Sequence, residues 1–194
     1  MKNAGVKQSI YESAMRLFLA KGFDETTVEE IAAQAGFSRA TFFNHFGSKA
    51  AVLRHRGLEM ADVVQSVIEN AGPSTGPVEL IRAVIEVLAD YTEKHREEIR
   101  LVYTYSLREP DYPFDPSSAR KRVWELLTAL VAKAQDRGEI RTDMAPGELA
   151  HHILFLHLGV VISILNGLGD AETLIGSAWQ FILGGITGGY SRTG

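Results

Sequence analysis

The twenty residues from Thr27 to Phe46 leave the chain few ways to fold. Thr27-Val28-Glu29-Glu30 is a capping box, in which the Thr hydroxyl and the Glu carboxylate satisfy N–H groups that a helix start leaves open. Val28, Ile31, Ala32 and Ala35 then form an apolar stripe that Gly36 interrupts after barely two turns. Ser38 caps a second short helix, Arg39 to Phe46, and Gly47-Ser48 breaks again. Helices this short do not persist alone in water, so they must pack against each other and a neighbour. Ala32 is small where the two would cross, and Gly36 suits the positive φ of a tight turn. Phe37 and Phe42 are expected to close a small core against Leu17 and Phe18 of a preceding helix, whose face is Ile10, Ala14, Leu17 and Phe18 and whose end is Lys21-Gly22. This spacing fits a helix-turn-helix, and it fits an ordinary helical hairpin as well.

The rest of the chain also reads as helix. A long helix is expected from about 49 to 70. Ala71 to Pro77 is the clearest break, with Pro77 opening a helix over about 77–94. Further helices are expected at about 96–108, 117–137, 146–169 and 170–186. A loop at 109–116 contains three prolines, and a glycine-rich tail from Gly184 to Gly194 is expected to fray. No period-2 strand pattern is present. The fold class is therefore all-α, about nine helices, with a small N-terminal domain at 1–48 and a helical domain at 49–194.

The last two helices are apolar nearly all round. Ile153, Leu154, Phe155, Leu156, Leu158, Val160, Val161, Ile162, Ile164 and Leu165 leave the eighth helix no polar face, and the ninth offers Leu174, Ile175, Trp179, Phe181, Ile182 and Ile186. A surface helix of a monomer shows a polar stripe. Two such helices suggest burial on two sides, in the protomer's own core and against a second copy, so the chain is expected to be a homodimer through helices at about 146–169 and 170–186. Burial in a monomer's core is the alternative.

Composition narrows the function classes. The 194 residues contain no cysteine, which excludes a disulfide framework, a thiolate zinc site and a cysteine nucleophile. Met1 to Gln8 is polar, so no signal peptide is expected, and the apolar run Ile153–Leu168 falls short of the roughly 20 residues a bilayer needs. We therefore expect a cytoplasmic protein with no membrane partner. Net charge is −4, yet residues 1–60 carry eight Lys/Arg against six Asp/Glu and the remainder twelve against eighteen. The N-terminal part is the one suited to a polyanion. No nucleophile elbow, phosphate-binding glycine loop or HExxH occurs, so no catalytic residue and no cofactor is expected, and the chain reads as no enzyme. His151, His152 and His157 lie one, five and six apart, which does not suit a shared metal site on one helix face, and no metal is expected.

Thr26 to Lys49, reading TTVEEIAAQAGFSRATFFNHFGSK, resembles the DNA-binding module of the TetR (TetR/AcrR) family of transcriptional regulators, and Ala14 to Phe23 matches the end of that family's first helix. The close match spans roughly 8–56; beyond it the likeness is one of helix pattern and length. The resemblance implies that the short helix from Arg39 enters the major groove. Arg39 would bond guanine O6 and N7, Ala40 touch a thymine methyl, and Thr41 and Asn44 reach base edges or phosphate. His45, Lys49 and the N–H groups at Thr27 would hold the DNA backbone. Phe43 stands where the family usually has Tyr, so the usual hydroxyl bond to phosphate cannot form; Phe43 packs on sugar, on a thymine methyl, or holds the helix. Glu29 would repel phosphate unless it accepts from a cytosine N4 or turns away.

In that family the residues beyond about 70 usually form an effector pocket. Tyr91, Tyr103, Tyr105, Leu107, Trp124, Leu127, His152 and Phe155 are candidate linings, with ordinary core packing as the alternative. The expected function is a sequence-specific repressor of a palindromic double-stranded DNA operator, released by a small apolar or aromatic effector acting through the long fourth helix. The rival is a helical protein-interaction adaptor that reads no DNA.

Overall fold

A computed structural model describes residues 2–106 and 118–187. These form α1 (Lys2–Lys21), α2 (Val28–Ala35), α3 (Arg39–His45), α4 (Lys49–Glu69), α5 (Pro77–Lys94), α6 (Arg96–Ser106), α7 (Ala119–Asp136), α8 (Pro146–Leu165) and α9 (Ala171–Thr187). No strand occurs among the described residues, as the helical periodicity predicts. Leu107, the 109–116 loop and most of the expected tail lie outside the described residues.

The chain divides into two compact units. One comprises described residues up to 57 together with 97–106; the other comprises 58–96 and 118–187. Both α4 and α6 contribute residues to each unit.

In the first unit, α1, α2 and α3 enclose Ile10, Ala14, Phe18, Ile31, Ala32, Phe42 and Phe46, with Val52 and Leu53 from α4. Leu17 and Phe37 pack at its edge. Burying a side chain the size of Phe18 or Phe42 stabilises by roughly 1.5–3 kcal/mol, which two helices of two turns each need in order to hold shape. Leu101, Val102 and Tyr105 of α6 pack against the same core. Glu98 joins them to it by accepting from the Tyr11 hydroxyl at 3.1 Å and pairing with Arg56.

In the second unit, Ile81, Val84, Ile85 and Leu88 of α5 meet Leu127, Leu130 and Val131 of α7, Ile153 and Ile164 of α8, and Ile175, Trp179 and Ile182 of α9. Ala61 and Val64 bring in the second half of α4. Trp124 donates its Nε1–H to the Gly147 carbonyl at 3.0 Å, and a Cβ at 147 would sit 3.0 Å from the indole ring. A larger residue there would require the indole to shift by a few tenths of an ångström.

Helix α8 ends at Leu165, four residues before the expected end near 169. Leu168 N donates back to the Ser163 carbonyl and Asn166 N to that of Ile162, and Gly167, at φ 71°, makes the turn that closes the helix end. From Pro146, α8 is 20 residues long and by length and composition alone could cross a membrane. Its stripe of Leu149, Ile153, Leu154, Val160, Val161 and Ile164 is instead buried within the unit.

Candidate nucleic-acid interface

The local chemistry of α2 and α3 sets which side chains face outward. Thr27 Oγ1 accepts from Glu30 N at 3.2 Å, and Glu30 Oε2 accepts from Thr27 N at 2.8 Å, so the capping box is complete. Lys21 donates to the same carboxylate, and with the Thr27 bonds this holds the Glu30 carboxyl down at about 2. Glu29 and Glu30 both stand in the first turn of α2, so its dipole is already met by negative charge. Gly36 takes φ 77° at the turn. Ser38 Oγ then accepts from Thr41 N at 3.1 Å and starts α3.

Within α3, Phe42 is fully buried and Phe46 follows it at the helix end, anchoring one side. The opposite side carries Arg39, Ala40, Phe43 and Asn44, all exposed. These positions recur at i, i+1, i+4 and i+5, so they share one face. A helix of seven residues, roughly 10 Å long, suits a major groove about 12 Å wide. Thr41 and His45 flank this face and are half-buried. The Thr41 hydroxyl lies 2.9 Å from that of Ser38. Among the described residues the Asn44 and His45 side chains make no hydrogen bond. Arg39 is turned toward two neighbours: its Nε lies 2.8 Å from Glu29 Oε1, and its guanidinium carbon 5.3 Å from the Phe43 ring centroid. Glu29 thus pairs with an arginine, an arrangement the sequence reading did not include.

Lys49 sits at the first turn of α4 but does not point away from the protein. Its Nζ donates to the carbonyls of Phe23 at 2.7 Å, Asp24 at 3.3 Å and Thr26 at 2.6 Å, and lies 4.7 Å from the Phe23 ring centroid. An ammonium has three donors, and three carbonyls take them. Phe23 in turn stacks with Phe18 at 5.0 Å and Tyr105 at 4.4 Å, and the Tyr105 hydroxyl reaches Asp24 at 3.4 Å. The clamp therefore fixes the connection that delivers the chain to Thr27. Sequence reading missed it because its acceptors are backbone carbonyls, which carry no residue signature.

The candidate effector residues divide between the two units. Tyr103 and Tyr105 belong to the first unit; Tyr91, Trp124, Leu127, His152 and Phe155 belong to the second. Leu127 is fully buried core, whereas His152 and Phe155 are exposed on α8, with Phe155 beside His151 and Arg120. Tyr91 stacks on His95 at 4.5 Å. One residue of this helix was not anticipated in that role. His157 is 5% exposed, its Nε2 has no hydrogen-bond partner, and burial with the nearby Arg120 charge pushes its pKa down to about 4. Among the described residues no three His, Cys, Asp or Glu side chains converge as metal ligands. Outside the core, α8 exposes Phe155, Leu156 and Ile162, the connection Leu168, and α9 Phe181, which is 71% exposed.

Comparison with known proteins agrees with this geometry. Residues 10–55 match the family model described as bacterial regulatory proteins, tetR family, and residues 77–163 match a tetracyclin repressor-like C-terminal domain. The chain is 30% identical over 178 residues to the HTH-type transcriptional repressor AcnR of Corynebacterium efficiens, covering 89% of this chain and 88% of that one. It is 25% identical to the repressor DhaR of a Mycobacterium species, over 84% and 83% of the two chains. Among solved structures it is similar to Thermus thermophilus FadR, a TetR-type repressor crystallised with lauroyl-CoA, at TM-score 0.69 and 26% identity over 97% and 98% of the chains. Bacillus subtilis FadR shares the fold at TM-score 0.76 and 18% identity, over 92% and 98% of the chains. Such proteins are DNA-binding transcription factors and carry out no catalysis. From a capped helix-turn-helix with one outward face, and from relatives that match along nearly the whole chain, it follows that this protein belongs to the TetR family of transcriptional regulators.

Proposed function

We propose that this regulator is a homodimeric repressor of a palindromic operator, released by an effector with an apolar body. The observation that carries the DNA-reading part is the α3 face of Arg39, Ala40, Phe43 and Asn44, held outward by the buried Phe42 and Phe46. Arg39, Ala40 and Asn44 would meet base edges in the major groove, with Phe43 against sugar or a thymine methyl. Thr27, Thr41 and His45 would fix register on the backbone. Lys49 would contribute indirectly, through the connection it clamps. The functional division would run from a DNA-reading part at 1–48 to a sensing and dimerising part at 49–194.

The two-fold partner would cover the apolar residues that α8 and α9 leave outside, Phe155, Leu156, Ile162 and Phe181. Four large apolar side chains exposed on these two helices favour a second copy over a solvent face. For the effector, the lauroyl-CoA bound by the Thermus relative makes a fatty acyl thioester the first probe to try. Trp124, Leu127, Tyr91, Tyr103, Leu107, His152 and Phe155 remain the residues proposed to respond to it. The site of action would be the cytoplasm, where the operator is.

The test is selection of bound sequences from random duplex DNA, followed by titration of lauroyl-CoA into the complex. A palindrome whose affinity falls on adding the thioester supports the full reading. Absence of any consensus would leave the chain an adaptor. A consensus with undiminished affinity at saturating thioester would remove this effector class and leave the DNA reading standing.

A further inference from the structure

Glu29 is an unfavourable residue to place beside DNA. It lies in the first turn of the helix that precedes α3, and its carboxylate faces the same solvent as Arg39. An ion pair between two side chains 66% and 61% exposed contributes little to stability, a median of about 0–1 kcal/mol. Folding therefore does not account for the pair.

Its geometry does suggest a purpose. Glu29 Oε1 pairs with Arg39 at its Nε, 2.8 Å away, on the stem side of the guanidinium. Among the described residues, the two terminal Nη groups of Arg39 have no hydrogen-bond partner. They form the end-on edge of a rigid planar fork, whose parallel N–H donors match the spacing of O6 and N7 on one guanine. Phe43, one turn along α3, lies 5.3 Å from the guanidinium carbon and supports it from a second direction. Two neighbours thus flank a long side chain that would otherwise sample many rotamers, one on its Nε side and one at its guanidinium carbon.

We infer that Glu29 is a specificity-determining residue: it orients Arg39 through Nε so that Arg39 meets one guanine per half-site end-on, while its charge penalises duplexes that lack this match. The inference rests on α3 reading bases, as proposed above. It makes two effects of one substitution run in opposite directions. Loss of the carboxylate removes repulsion from every phosphate nearby, so binding to any DNA strengthens. It also frees Arg39 to bond phosphates or other bases, so discrimination at that guanine weakens.

The experiment uses the full chain and the duplex selected by it from random DNA. Wild type, Glu29→Gln, Arg39→Ala and the double variant are titrated, by fluorescence anisotropy, against the operator, its single-position variants and an unrelated duplex. Circular dichroism confirms that each is folded. Arg39→Ala should remove about fivefold to a hundredfold of discrimination at one guanine per half-site. Glu29→Gln should lower discrimination at that same guanine and raise affinity for the unrelated duplex by up to about fivefold. The double variant should discriminate no less than Arg39→Ala alone. Unchanged discrimination in Glu29→Gln overturns the inference and leaves base reading by α3 intact. Discrimination lost at a position that Arg39→Ala spares would show that Glu29 reads a base itself, and overturns it too. If wild type selects no consensus, base reading and the inference fall together.

Discussion

Between pH 6.5 and 4.5, above the range of the lowered carboxylates, acidification should destabilise this protein through His157. Its imidazole is 5% exposed on the core stripe of α8, Nε2 has no partner among the described residues, and the like charge of Arg120 acts on it. Burial is the larger cause and Arg120 the smaller, and together they bring the pKa from the ordinary 6.5 to about 4. The folded state therefore resists a proton that the unfolded state accepts. Above pH 6.5 both states are neutral and the contribution is fully present. As pH falls from 6.5 towards 4 the unfolded state binds more protons and stability is lost, at a slope approaching about 1.4 kcal/mol per pH unit. Over the whole window the loss amounts to about 3 kcal/mol, a large share of a typical folding free energy. Replacement by leucine, a good helix former with no polar atom, removes both the titration and the orphaned nitrogen. His157→Leu should thus be more stable than wild type by about 1–3 kcal/mol at pH 7.5, with the gap widening as pH falls. Urea unfolding followed by circular dichroism at fixed protein concentration, from pH 8 to 4.5, measures both. If wild type and variant lost stability in parallel between pH 6.5 and 4.5, the burial argument would be refuted.

Two further outcomes are expected. Lys49→Met should cost about 1.5–3 kcal/mol of stability, because three carbonyls lose a charged donor, and should weaken operator binding while the slope of log K against log salt stays at the wild-type value. A slope smaller by about 0.9 would instead put that ammonium on a phosphate. Phe155→Glu and Phe181→Glu, at side chains 53% and 71% exposed, should each weaken self-association by about 2 kcal/mol or more, roughly thirtyfold in Kd. Light scattering at micromolar concentration reads this, and unchanged dimers in both variants would move the interface elsewhere.

Local signals carried the DNA-reading helices. The Thr27 box, the Ser38 cap and the Gly36 turn depend on residues five or fewer apart, so a sequence displays them directly. The apolar face of α1 was legible for the same reason, since period sets the face. What sequence concealed depends on distance along the chain. The Lys49 clamp spans 23 to 26 residues and ends on carbonyls. The Glu29–Arg39 pair crosses a turn, and although each residue was singled out near the groove, no spacing joined the two. His157 was weighed only as a metal ligand; its significance comes from burial without a partner, which no spacing reveals. The proposed effector linings were the least legible, because aromatic residues at helical spacing look the same in a core as around a ligand.

The placement of α6 has a bearing on synthesis. Leu101, Val102 and Tyr105 pack into the core built by α1 to α3, and Glu98 bonds Tyr11 and Arg56. A ribosome releases the chain from its N-terminus, so these partners appear about 50 residues after the helix-turn-helix has been made, roughly 2–10 s later at usual elongation rates. Until then Phe23 lacks its Tyr105 neighbour, Glu98 cannot reach Arg56, and the nascent DNA-reading unit has an open side. A fragment cut after residue 57 would stay in that unfinished state permanently. Excising the first 57 residues to obtain a minimal DNA-binding module would therefore yield a weaker fold than the one the full chain completes, and a graft carrying residues 97–106 as well would restore it.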